Sequence, residues 1–392
     1  TPPSGSSKRF NILFLAEIAT TLKEAAQYPS LLMAMCGSAF FLFLGAFVQI
    51  NMIPFAIECL HLSDVQGGYL FLLTALGIGS GSIIAGKISG KVIELGLVPI
   101  AGIGVAISCY LLDIFSSNIL VVIPFVMILG LFGGMYQIPL DSYIQVTSPS
   151  TSRGRIVAAT NFLSFFGVLL ASGLLFFVSE ILGLKADKGF VIIGSLTLCV
   201  TSLIGYQFFD YLSRFVAMIL SNMHFDTKII GLEHIPKDMP AIYVCRHTAW
   251  NDTLLLLGAQ RRRMRFFIQR EKDHQHSWIK RLYRMLRVVF IPMIDPLENN
   301  VVCLSEIKNF LKKGVSVCIF VDNNDLVQEI DKLTSSYSFQ EIRDETGCPI
   351  IPVIVEKGEK CNQYPLFTRL LNKVRVPAAV SFGKGLGNYI EV

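Results

Sequence analysis

Charge is the scarcest commodity in this 392-residue chain: 16% of residues are Asp, Glu, Lys or Arg, while 52% are hydrophobic and 29 are Phe. A soluble domain carries about 25% charged residues. The deficit excludes a wholly soluble protein, and the length allows two or three domains. Paired cysteines are lacking too. Nine Cys are scattered without a C-x-x-C, several inside apolar runs. They read as reduced core or lipid-facing residues, not a disulfide set. No G-x-S-x-G is present, which excludes a serine nucleophile on an elbow turn. A signal-peptide pattern is also missing. The opening Thr1 to Ser7, rich in Pro, Ser and Gly and without Met, reads as a cut from a longer chain. Nucleic acid is not an expected partner, since no aromatic-basic module accompanies the net charge of +5.

What is abundant is long apolar sequence. Six runs, Leu31–Phe55, Gly68–Ile84, Leu97–Phe115, Ile119–Ile138, Ile156–Val178 and Phe190–Phe209, each approach the roughly 20 residues that cross a bilayer. Before them, residues Phe10 to Tyr28 place Ile12, Leu15, Ile18 and Leu22 on one helical stripe ended by Pro29. This segment is either a solvated surface helix or one lying on the membrane. Basic residues alternate between loops. Lys8, Arg9, Lys23, Lys87, Lys91, Arg153, Arg155 and Arg214 fall on one side and only Lys185 and Lys188 on the other. The first side is therefore expected to be cytoplasmic, together with everything after residue 213. Polar residues within the spans are few. Gln49 and Asn51 lie near Pro54, and Gln137 and Asp141 flank Pro139. Each reads as interhelical glue or as part of a transport path, and Asp141 also as a residue that simply sits at the membrane surface. Gly77, Gly79, Gly81 and Gly86 fit close helix packing.

From Val216 the pattern changes. Strand-length runs (Lys228–Gly231, Ala241–Cys245, Arg265–Ile268, Val315–Val321, Ile350–Val355, Ala378–Phe382) alternate with helical stretches (Asp252–Ala259, Trp278–Leu286, Val301–Lys313, Phe339–Thr346). Such alternation predicts an α/β domain. Its chemistry centres on Cys245-Arg246-His247-Thr248-Ala249-Trp250-Asn251-Asp252, where a His at a strand end precedes a carboxylate at a helix start. Paired, the carboxylate fixes the imidazole tautomer and leaves the free nitrogen as a general base. The plain alternative is a surface His and an N-cap Asp. Cys245 beside His247 needs a lowered thiol pKa before it can serve as a nucleophile. A belt of Arg261, Arg262, Arg263, Arg265, Arg270, Lys272, Lys280, Arg281, Arg284 and Arg287 follows. Anionic headgroups, an acidic carrier protein or plain solvent are its three readings. His274 and His276 lack further ligands at metal-binding spacing, so no metal is expected.

Two resemblances bear on these residues. The six helices, with the basic turn Ala85-Gly86-Lys87-Ile88-Ser89-Gly90-Lys91, resemble the C-terminal half of a major facilitator transporter, and residues 91–99 are similar to its lysophospholipid branch. Such transporters contain two six-helix halves, which implies a further half before Thr1. Residues 222–386 resemble the glycerolipid acyltransferases, closest to the 2-acylglycerophosphoethanolamine acyltransferases, which precede an acyl-carrier-protein synthetase domain. His247 and Asp252 match the H-x4-D block. Residues 290–296 resemble the second block, 347–353 (with Pro352) the fourth, and 380–384 the terminal strand. The third block, Phe-Pro-Glu-Gly then Arg in the family, reads Phe320-Val321-Asp322-Asn323-Asn324-Asp325. Asp322 keeps a shorter carboxylate, Asn323 replaces Gly, and the Arg is absent.

The resemblances imply an all-α six-helix membrane bundle followed by a cytoplasmic α/β acyltransferase domain. The expected boundaries are 1–29 for linker and amphipathic helix, 30–213 for the spans and 214–392 for the enzyme. They imply lysophospholipid uptake coupled to reacylation in the bacterial inner membrane. His247 would be the base and Asp252 its orienter, with Asp322, Asn323, Arg270 and Pro352 around the substrate. The donor would be acyl-carrier protein or acyl-coenzyme A, with no bound cofactor. The rival reading is a transporter whose altered acyltransferase domain only binds lipid.

Overall fold

The computed structural model describes residues 14–90, 92–236, 239–246, 251–260, 264–269, 289–291, 301–321, 337–357 and 376–383. The chain forms two compact units, Thr1–Leu212 and Ser213–Val392.

In the first unit, α1 (Phe14–Ala25) precedes α2 (Pro29–Glu58), α3 (Asp64–Ser89), α4 (Leu97–Ile114), α5 (Ile119–Thr147), α6 (Arg153–Phe176, continued by a π-turn through Ile181) and α7 (Ala186–Gln207). Six helices among the described residues, α2 to α7 with the π-turn counted in α6, are long and apolar enough to cross a membrane. Local chemistry sets their starts. Pro29 opens α2, where its missing N–H costs nothing. Ser63 and Gln66 form a reciprocal capping box that starts α3 several residues before the apolar run at Gly68. Conversely, α5 runs on through Pro139 to Thr147, so Asp141 lies inside the helix. Helix α1 ends at Ala25, earlier than the expected Tyr28. It buries Thr21 and Ala25 while Leu15 of the expected apolar stripe stays 58% exposed.

Glycine decides how close α3 and α5 come. A Cβ at Gly77 would lie 2.3 Å from the Met127 carbonyl, and one at Gly81 would lie 1.9 Å from that of Leu131. Gly130 and Gly134 on α5 meet the Thr74 and Ile78 carbonyls in the same way, at 2.1 and 2.2 Å. Backbones thus touch where side chains would hold them apart. Gly79 and Gly86 do not share this role. Among the described residues nothing lies within 4 Å of a Cβ at either position, because they sit off the contact face.

Helix α8 (Phe209–His224) spans the boundary between the units, and the second unit then builds a sheet from β1 (Phe225–Ile230), β2 (Ile242–Arg246), β3 (Met264–Gln269), β4 (Val289–Ile291), β5 (Ser316–Val321), β6 (Ile350–Lys357) and β7 (Val376–Phe382). Helices α9 (Asn251–Ala259), α10 (Val301–Lys312) and α11 (Tyr337–Thr346) connect them. The strand order is β1-β7-β6-β2-β5-β3-β4. All neighbours pair in parallel except β6 with β7. Strand β4 was not expected, and the expected helix Trp278–Leu286 lies outside the described residues. Gly231, expected to end the first strand, instead leaves it with φ +79°.

Two-residue periodicity sorts the core onto the two faces. Tyr243, Cys245, Cys318 and Phe320 pack with α9 on one face. Ile242, Val244, Val317 and Ile319 pack with Leu304 and Ile307 of α10 and Ile342 of α11 on the other. Every residue of β5 is buried, the mark of a central strand covered on both sides. Phe266 and Phe320 stack across neighbouring strands at 5.7 Å. Glu345 of α11 binds Lys308 and, at 3.0 Å, Lys312, both on α10.

Candidate active site

In open α/β sheets, ligands gather at the carboxyl ends of the parallel strands. Here β2 and β5 end level, Arg246 paired with Val321, and β3 ends one strand further along at Gln269. The residues singled out for chemistry follow these ends in the chain: His247 after β2, Arg270 after β3, and Asp322 and Asn323 after β5. All four lie outside the described residues.

Asp252 is described. It stands in the first turn of α9, where the helix dipole favours an anion, and it is 0% exposed. A buried carboxylate is costly unless bonded, so this position is specialised. The charge acts on its surroundings: burial pushes the Cys318 thiol well above its ordinary range, and Cys245 and Asp252 push it further. Such a thiol stays protonated and inert, which argues against Cys318 as a nucleophile. Pro352 pairs with Val244 and accepts a hydrogen bond from the Gly383 N–H at 2.9 Å. Alternation puts Pro352 on the α10–α11 face with Ile350, whereas α9 packs on the opposite face. Pro352 and the helix that carries Asp252 therefore lie on opposite faces of the sheet.

In the helical unit, the four polar residues separate by environment. Asn51 is 1% exposed, donates its amide to the Ala186 carbonyl at 2.8 Å and abuts Gly189. It ties α2 to the start of α7. Gln49 lines an apolar cavity of about 300 Å³ with Phe41, Leu44, Val48 and Phe71. Gln137 and Asp141 line a second, more polar cavity of about 350 Å³. They act with a residue that sequence reasoning missed, Ser38. Its hydroxyl donates to Asp141 Oδ1 at 2.8 Å, while Gln137 Nε2 donates to Ser38 Oγ at 2.8 Å and to Asp141 Oδ2 at 2.7 Å. No sequence signal could link Ser38 to a carboxylate 103 positions away. Among the described residues, no group of three or more His, Cys, Asp or Glu is placed to hold a metal.

Comparison with known proteins bears on the second unit. No curated protein matches the chain. Among solved structures, the 1-acyl-sn-glycerophosphate (LPA) acyltransferase PlsC from Thermotoga maritima is similar at 19% identity, over 46% of this chain and 71% of that one, with a TM-score of 0.31. Residues 226–356, which run from β1 almost to the end of β6 and enclose the whole H-x4-D segment, match the Acyltransferase family.

Proposed function

We propose that the second unit transfers an acyl chain from a thioester donor to the free hydroxyl of a lysophospholipid, and that the helical unit delivers that lipid. The observation that carries the reading is the family match across residues 226–356, with a fully buried Asp252 five positions after His247. In the proposed step, His247 removes the proton from the lysolipid hydroxyl. The oxygen attacks the thioester carbonyl, a C–O bond forms, the C–S bond breaks, and the proton passes to the departing thiolate. Asp252 holds the imidazole in the required tautomer and supports its positive charge. General-base assistance of this kind contributes about 10²–10⁴-fold. The donor is acyl-carrier protein or acyl-coenzyme A, and the acceptor approaches over Arg270, Asp322 and Asn323. The six spans resemble half of a major facilitator transporter in the bacterial cytoplasmic membrane, with the acyltransferase unit on the cytoplasmic side. Tethering then presents arriving lysolipid to the enzyme at high effective concentration.

The test is transfer from a radiolabelled acyl donor to lysophospholipid by the full-length protein in membranes. His247→Ala is expected to abolish it, and Asp252→Asn to lower it strongly while sparing lysolipid binding. Transfer that survives His247→Ala sinks the mechanism. The altered third block, Asp322-Asn323-Asn324, favours a second reading in which the domain only binds lipid. No transfer by the unmutated protein, with lysolipid binding intact, is the result that reading expects.

A further inference from the structure

The Ser38–Gln137–Asp141 cluster has a carboxylate that no cation among the described residues pairs with. Its hydrogen bonds run in one direction. Ser38 Oγ accepts from Gln137 and so spends its only proton on Asp141 Oδ1. Asp141 Oδ2 accepts from the same Gln137 amide group. Both carboxylate oxygens therefore accept from neutral donors, which is the pattern of an ionised carboxylate. Neither donor cancels the charge. No Lys, Arg or His among the described residues forms an ion pair with Asp141. A second signal adjoins it: Gln137 Oε1 is buried and has no hydrogen-bond partner among the described residues. A buried acceptor of this kind asks for a donor.

These groups sit well inside the helices. Ser38 is nine residues from the start of α2 and Asp141 six from the end of α5, roughly 13 Å and 9 Å of helix respectively. An ionisable side chain within a membrane-spanning helix is rare, faces the bundle interior or a water-filled cavity, and marks a substrate or ion pathway by default. The cavity they line, about 350 Å³, is far larger than a single ion needs, and Gln145, Asn161 and Ser164 add further polar groups to its wall. The apolar cavity begins beside it. Leu42 lines both, and the second extends along α2 from Phe41 to Gln49 with an apolar wall. A polar chamber that carries a carboxylate and shares Leu42 with an apolar neighbour is complementary to a molecule with a positive head and one hydrocarbon chain.

We propose that this pair of cavities binds a single-chain amphiphile with a primary ammonium head, the ammonium on Asp141 and the chain along α2. A primary ammonium offers three donors, enough for the carboxylate and the Gln137 oxygen together. The site shares residues with the proposed lysolipid path but does not depend on it, because binding is read without transport or acyl transfer.

The experiment uses the whole chain in nanodiscs of neutral lipid, with empty nanodiscs as the blank, and titrates dodecylammonium, dodecyltrimethylammonium, dodecyl phosphate and sodium chloride. Dodecylammonium is expected to saturate one site, bind at least tenfold more tightly than dodecyl phosphate, and exceed the trimethylated analogue, which has no N–H donors. Asp141→Asn is expected to lose at least tenfold in dodecylammonium affinity. Ser38→Ala, which keeps the charge, should lose no more than about fivefold, the worth of one net hydrogen bond. Equal binding of dodecylammonium and dodecyl phosphate by the unmutated protein overturns the proposal, whatever becomes of the variants. So does unchanged affinity in a folded Asp141→Asn. Displacement of dodecylammonium by millimolar sodium, unmatched by the same ionic strength of a choline salt, would make the site one for an inorganic cation and reject the amphiphile.

Discussion

Gly81→Ala is the sharpest test of how the helical unit packs. The added Cβ would lie 1.9 Å from the Leu131 carbonyl oxygen and 2.9 Å from its Cα. Both are backbone atoms, so no side chain can turn aside. Helices α3 and α5 must separate by about 1 Å, and a gap of that size forfeits a quarter to a half of each dispersion contact it opens. The loss spreads, since Gly77, Gly130 and Gly134 all rely on the same approach. Overpacking of this kind costs about 1–3 kcal/mol, and an unyielding backbone neighbour puts Gly81→Ala at the upper end. Gly79→Ala is the internal control. Nothing lies within 4 Å of its Cβ, and Ala in a helix interior is favoured over Gly by roughly 0.5–1 kcal/mol. The two variants, two residues apart and chemically identical, should therefore differ by about 3–4 kcal/mol, more than a hundredfold in the folding equilibrium. Unfolding of the full-length protein in mixed micelles of rising dodecyl sulfate content measures this directly. Equal midpoints for the two variants would refute the packing argument.

In the second unit, Gly231→Ala meets two penalties at once, a φ of +79° and a Cβ 2.0 Å from the Phe382 carbonyl. We expect a loss of at least about 2 kcal/mol, read as protease sensitivity of the β1–β7 region at lower temperature. Cys318 is fully buried with its thiol pushed well above the ordinary range, so maleimide at pH 8 should leave it unlabelled until denaturant unfolds the sheet. Rapid labelling in native protein would contradict the central position of β5. Cysteines placed at Ser117 and Ser89 test orientation. The first should react from outside intact cells and the second only after permeabilisation, and the reverse pattern would put the acyltransferase unit on the external face.

The sequence by itself determined whatever is written within one segment. Each apolar run is long enough that no folded alternative hides its backbone, so six helices follow from length and composition. Alternation along β2 and β5 fixes which residues face α9 and which face α10, because the side-chain period of a strand is two. The spacing of His247 and Asp252 marks a strand end and a helix start, and Asp252 does lie in the first turn of α9. The three-residue β4 was too short to announce itself.

Only the tertiary structure decided what depends on two segments meeting. Of the four glycines that the sequence marked for packing in the second span, Gly77 and Gly81 touch α5 while Gly79 and Gly86 do not, and only the rotation of α3 about its axis sets that choice. Asn51 became a tie to Ala186 because α7 begins beside it. Asp141 gained Ser38 as its donor because α2 and α5 lie side by side. Pro352 and α9 fell on opposite faces through the register of β6 against β2. The physical reason is the same each time. Chain-local propensities repeat every two or 3.6 residues and can be read in place, whereas a hydrogen bond between residues 38 and 141 exists only once packing has closed the distance.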